Sequence, residues 1–136
     1  MQSAPRPRIL LIDDEPVVRE TIERALSHDY QILTLSSSTD LEETVRHSPP
    51  DLIILDVRMP EENGLSICDR LRHDRRFDVV PIIFLSGLAD EATVRKSFAN
   101  GGDFYLTKPF DLKELSQVVE TFIGRKHRHP DDPFGH

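Results

Sequence analysis

The stretch that most constrains this chain is residues 52–60, LIILDVRMP. Leu52, Ile53, Ile54 and Leu55 run without alternation and stop on Asp56, with Pro49-Pro50-Asp51 before them and Met59-Pro60 after. An unbroken apolar run between turn-formers predicts a strand covered on both faces, as in the interior of a parallel sheet. Open parallel sheets bind ligands at the carboxyl ends of their strands, so an acid there stands where chemistry takes place. Taken alone, Asp56 reads equally well as a helix cap or a solvated loop residue. The rest of the chain decides between these.

The pattern recurs. Residues 9–12 form a second apolar run, ending on Asp13, Asp14 and Glu15. Pro16 follows where a first helical turn tolerates proline, and Val18, Ile22, Ala25 and Leu26 continue at helical spacing. Residues 30–35 (YQILTL) predict a short strand, and residues 40–47 a helix entered from a serine run and ended by Ser48-Pro49-Pro50. Beyond Asp56, a turn carrying Pro60 and Asn63-Gly64 leads into a helix over 65–71, with Leu65, Ile67, Cys68 and Leu71 facing inward. Residues 79–85 (VVPIIFL) predict a strand ending on Ser86-Gly87, with Pro81 at its start because proline interrupts a ladder. A helix over 90–99 offers Ala92, Val94, Phe98 and Ala99 for burial and stops at Asn100-Gly101-Gly102. Residues 104–106 form a short strand before Thr107-Lys108-Pro109, and a last helix from Asp111 puts Leu112, Leu115, Val119 and Phe122 on one stripe. This strict alternation predicts an α/β fold, a five-stranded doubly wound parallel sheet flanked by five helices.

With 136 residues the chain suits one domain over 8–124, preceded by a loose leader (1–7) and followed by a polar tail or the start of a linker (125–136). The net charge of −7 argues against direct nucleic-acid binding through a basic face. A single cysteine, Cys68, excludes an intramolecular disulfide and reads as a small buried hydrophobe. No signal-peptide pattern and no apolar run of spanning length occurs, so the expectation is a cytoplasmic protein without a membrane partner. His127, His129 and His136 in the tail read as solvated residues rather than a metal site.

Four of the five predicted strands end on a functional group: Asp13-Asp14, Asp56, Ser86 and Lys108. Parallel strands bring those ends to one edge. The chemistry they suit is phosphoryl transfer to a carboxylate, with Asp56 as nucleophile. Clustered carboxylates with open positions suit magnesium, with manganese as a substitute, which would neutralise charge on the transferred group. Lys108 would balance one phosphoryl oxygen and the Ser86 hydroxyl another.

Over residues 8–123 the motifs LLIDDEP, LIILDVRMPEENG, PIIFLSG and GGDFYLTKPF resemble the receiver domain of response regulators in two-component signalling. The resemblance implies a flavodoxin-like fold with strand order 2-1-3-4-5. It implies magnesium on Asp13, Asp14, Asp56 and the backbone carbonyl of Arg58, with Asp56 as phosphoacceptor for a histidine kinase, a phosphotransfer protein or a small phosphodonor. Ser86 and Lys108 match the family's hydroxyl and lysine, and Tyr105 the aromatic that swings inward as the hydroxyl moves to the phosphate. A cis Lys108–Pro109 bond is implied too, as is an output domain or target protein at the face over 90–123, with a dimer on phosphorylation as one outcome. Such a domain catalyses its own phosphorylation and dephosphorylation and is otherwise not an enzyme.

Several positions vary within or depart from that pattern. Phe104 stands where a small or polar residue is common, predicting an apolar surface beside Tyr105. Arg58 and Leu88 occupy positions that tune loss of phosphate, and neither can orient an attacking water. A long-lived phosphorylated state is therefore expected. Glu15 beside Pro16 reads as favouring the positive end of a helix, and Asp51 as capping the start of its strand. Phe98, Phe110 and Phe122 read as packing residues. Two other function classes share a similar sheet. A magnesium-dependent aspartyl phosphatase would place a second acid at position 58 and carry a cap insertion. A flavin carrier would need a phosphate-binding loop where this chain has Asp-Asp-Glu-Pro.

Overall fold

The computed structural model describes residues 5–126. The tail histidines, most of the polar tail and the first four residues of the leader lie outside the described residues. Strands and helices alternate: β1 (Arg8–Ile12), α1 (Pro16–Leu26), β2 (Gln31–Leu35), α2 (Leu41–His47), β3 (Leu52–Leu55), α3 (Gly64–Arg72), β4 (Ile82–Ser86), α4 (Glu91–Ala99), β5 (Phe104–Thr107) and α5 (Leu112–Lys126). All neighbouring strands pair parallel, in the order β2-β1-β3-β4-β5. The expected fold class and strand order are both present.

Because successive residues of a strand face opposite ways, the unbroken runs feed two cores. Leu10, Ile12, Ile53, Leu55, Ile82 and Phe84 pack with α2 and α3 through Leu41, Val45, Ile67, Cys68 and Leu71. Ile9, Leu11, Leu52, Ile54, Ile83 and Leu85 pack with α1 and α5 through Ile22, Leu26, Leu115 and Val119. Every residue of β3 is fully buried, as its position in the centre of the sheet requires.

The helix starts follow local chemistry. Pro16 opens α1. Asn63 Oδ1 accepts from the Leu65 amide at 2.7 Å, and Asp90 Oδ2 accepts from the Thr93 amide at 3.0 Å. Gly64 is required by close approach. A Cβ there would lie 2.0 Å from the Asp56 carbonyl oxygen, so α3 begins hard against the end of β3.

Three expectations need correction. Strand β4 starts at Ile82 rather than at residue 79. Val79 is exposed, while Pro81 pairs only through its carbonyl, which accepts from the Ile53 amide at 2.9 Å. On α1, Ala25 faces solvent. The larger correction is α4: Ala92, Phe98 and Ala99 are exposed and Val94 is half-buried, whereas Ser97 is the buried residue of the helix. Just past the helix the chain packs tightly: a Cβ on Gly102 would sit 2.6 Å from the Phe84 ring and 2.9 Å from the Ser97 carbonyl oxygen. Ser97 stays satisfied there by donating its hydroxyl to the Val94 carbonyl at 2.6 Å.

Candidate functional site

Strands β1 and β3 stop in step, with Ile12 paired to Leu55, so Asp13 and Asp56 emerge side by side, while β4 runs two residues past the partner of Leu55, Phe84, to end on Ser86. Asp13 extends the β1–β2 ladder by one bond, its amide donating to the Leu35 carbonyl at 3.0 Å. Its side chain is completely buried, and Oδ1 accepts from the Glu15 amide at 2.9 Å. Asp56 is likewise buried. Its amide donates to the Ile12 carbonyl at 3.1 Å, and its Oδ1 accepts from the Arg58 amide at 3.1 Å.

Lys108 arrives from the other half of the chain. Its amide donates to the Ser86 carbonyl at 2.8 Å, and the peptide bond to Pro109 is cis as expected. The ammonium stands among three carboxylates, 2.8 Å from Asp13 Oδ2, 2.6 Å from Glu15 Oε1 and 3.0 Å from Asp56 Oδ2. Burial alone would lower the lysine pKa, but hydrogen bonds to Asp13, Glu15 and Asp56 outweigh it and raise the pKa above the ordinary value. Asp13 moves the opposite way for an acid. Burial raises its pKa, and the Lys108 and Glu15 contacts only partly offset this.

The donor set fits a hard cation. One carboxylate oxygen from each of Asp13, Asp14, Glu15 and Asp56 lies within 4.8 Å of the others. Asp13 Oδ2 is buried, and among the described residues its one partner is the Lys108 ammonium at 2.8 Å. An all-oxygen cluster of four acids facing a single ammonium carries surplus negative charge, chemistry suited to magnesium or manganese. A cavity of about 840 Å³ is lined by Asp14, Glu15, Asp56 and Lys108 together with the apolar side chains of Val17, Val18, Phe110 and Leu112.

Ser86 and Tyr105 sit beside this cluster rather than in it. The Ser86 hydroxyl is buried and accepts a long bond from the Leu88 amide at 3.3 Å. Tyr105 donates its hydroxyl to the Leu88 carbonyl at 2.6 Å, and its ring lies 6.1 Å from Phe84. Burial raises the tyrosine pKa. The Arg58 side chain is exposed.

Residues 9–120 match the family described as the response regulator receiver domain. The chain belongs to that family. Its relatives include the response regulator Rre1 of a Synechocystis strain, 33% identical over 90% of this chain and 54% of that protein. The transcriptional regulatory protein GltR of Pseudomonas aeruginosa is 36% identical over 86% of this chain and 49% of its own length. Among solved structures, the signal receiver domain of a histidine kinase from Syntrophus aciditrophicus superposes with a TM-score of 0.83 at 28% identity, over 93% of this chain and 96% of that one. The chain spans about half the length of the first curated relatives it matches. It is a receiver domain of two-component signalling, a class that works with histidine kinases and output domains. Among its described residues no helix is long and apolar enough to cross a membrane.

Of the residues singled out from sequence in this receiver domain, Asp13, Asp14, Asp56 and Lys108 converge, with Ser86 on the same edge. Asp51 accepts from the Arg8 amide at 2.8 Å, matching its expected place at the strand's start. Glu15 departs from expectation. It occupies the N-cap position of α1 without a side-chain cap bond, and its carboxylate goes to Lys108 instead. Arg19 was not singled out, yet its guanidinium donates to the Asp13 carbonyl at 2.7 Å and steadies the acidic turn. Cys68 is fully buried with its thiol pushed up to about 11 by burial, as suits a packing residue.

Proposed function

We propose that Asp56 is the phosphoacceptor of this receiver domain. One oxygen of its carboxylate attacks the phosphorus of a phosphohistidine on a histidine kinase or phosphotransfer protein, or of a small acyl phosphate. The new P–O bond forms as the bond to the donor breaks, and the imidazole or carboxylate leaves. The observation that carries this reading is the Lys108 ammonium 3.0 Å from Asp56 Oδ2, a cation already at the atom where negative charge must collect.

Asp13, Asp14 and Asp56, with the Arg58 carbonyl, would hold magnesium. When bound, the metal supplies charge neutralisation to the phosphoryl oxygens. The protein's own contribution is placement. The Arg58 amide orients the Asp56 carboxylate, Lys108 would meet a second phosphoryl oxygen, and the Ser86 hydroxyl would donate to a third. The exposed Val17 and half-buried Phe110, which line the cavity, offer a surface for the protein that carries the donor histidine. Because such a donor is charged by ATP, the reading carries a cytoplasmic location with it.

The output is read at residues 90–123. Leu88 joins the two switch residues, its amide on Ser86 and its carbonyl on Tyr105. A pull on Ser86 therefore reaches Tyr105 through one loop residue. Tyr105 lies on the edge strand of the sheet together with Phe104, which faces the other side and packs its ring 6.1 Å from Phe122, and Phe98 of α4 is exposed. That apolar face is the surface we assign to an output domain or target protein.

Incubation with magnesium and acetyl phosphate should add the mass of one phosphoryl group, and Asp56→Asn should abolish the addition. Sustained turnover of phosphate monoesters would instead favour an aspartyl phosphatase.

A further inference from the structure

The Lys108 ammonium shares its three protons among three acids that differ sharply in exposure. The Asp13 and Asp56 side chains are 1% and 5% exposed, whereas that of Glu15 is 57% exposed and makes the shortest contact, 2.6 Å. Two of these carboxylates are the ones a divalent cation needs, so ammonium and cation compete for the same buried oxygens. Glu15 is the partner that projects into solvent on a long side chain, able to keep its ion pair while the lysine shifts. A neutral residue at this position would leave the ammonium nowhere to rest except on Asp13 and Asp56.

Resting on the receiver reading above, we propose that Glu15 is a positioning residue for Lys108. It draws the ammonium toward the mouth of the site and so leaves the buried oxygens of Asp13 and Asp56 available to the cation. Glu15 acts here through the lysine and not as a ligand. An exposed charge acting directly on the metal would be largely screened at physiological ionic strength, whereas the competition at the buried oxygens would not.

The two roles separate in a double-mutant cycle read by Mn²⁺ binding, followed by electron paramagnetic resonance at about 0.15 M salt on the full chain. The proteins are the parent, Glu15→Gln, Lys108→Ala and the double variant, with Lys108→Gln as a second background should Lys108→Ala not fold. We expect Glu15→Gln to weaken Mn²⁺ binding about threefold to tenfold when Lys108 is present, and by less than about twofold when it is absent. Equal losses in both backgrounds would overturn the proposal and make Glu15 a ligand, and no loss in the parent background would overturn it as well. The parent is phosphorylated with acetyl phosphate in parallel. Failure there contradicts the receiver chemistry itself, whereas equal Glu15→Gln losses in a parent that phosphorylates normally contradict the Glu15 role alone.

Discussion

The Tyr105 hydroxyl donates to the Leu88 carbonyl at 2.6 Å, tying β5 to the loop that follows Ser86. The bond is partly buried and links the strand that carries Tyr105 to the loop that leaves Ser86. Tyr105→Phe removes it without removing the ring that packs on Phe84. Stability should fall by about 1 kcal/mol, the usual net worth of such a bond. Chemical denaturation reads this directly. In the same variant the face over 90–123 should respond less to beryllofluoride, as seen by amide exchange in α4 and β5.

Burial disfavours the charged form of Asp13. Its pKa is raised, mainly by burial, so the folded protein favours the protonated acid. The sign follows: this contribution is fully present below the ordinary value of 3.8 and is lost as pH rises through the higher folded-state value. At neutral pH with a chelator, Asp13→Asn should therefore stabilise the fold, by on the order of 1 kcal/mol. Divalent cation binding should weaken at the same time. Thermal melts with and without Mn²⁺ separate the two effects, and a destabilised Asn variant under chelation would contradict the account.

Gly64 brings α3 against the end of β3. A Cβ there meets the Asp56 carbonyl oxygen at 2.0 Å and the Val57 Cα at 3.0 Å, both of them backbone that cannot rotate away. Gly64→Ala should cost about 3 kcal/mol through forced displacement of the loop. Since that loop carries the Arg58 amide that orients Asp56, phosphorylation by acetyl phosphate should slow as well. Urea unfolding and the rate of phosphoryl uptake report the two consequences.

Arg58 is exposed beside the cavity, and Leu88 is half-buried against the core, so neither side chain can position water at a phosphorylated Asp56. The phosphorylated protein should therefore lose its group slowly. Arg58→Asn supplies an amide able to orient water, and should shorten the lifetime by about tenfold, less than the roughly hundredfold or more of a positioned acid or base because an amide takes no proton. The decay of the phosphorylated mass after donor removal measures this, and an unchanged lifetime would remove Arg58 from the account.

Much of this was legible in the order of residues. Unbroken apolar runs ending on Asp13, Asp56, Ser86 and Lys108 determine a parallel sheet and one chemical edge, because strands buried on both faces admit no polar alternation and parallel strands share a direction. Where a helix meets the sheet through an apolar stripe, as α5 does with Leu115 and Val119, periodicity finds the buried face, although Leu112 at the head of that expected stripe is exposed and Phe122 only half-buried. Tertiary structure decided α4, whose buried residue is Ser97, its hydroxyl closed onto the Val94 carbonyl, while the larger Phe98 is turned outward. It also decided the partner of Glu15. Local sequence links that acid to the helix it begins, but Lys108, 93 residues away, offers a full charge in a partly buried site. Attraction to that charge outweighs the weaker pull of a helix end, and nothing within a few residues of Glu15 could have announced it.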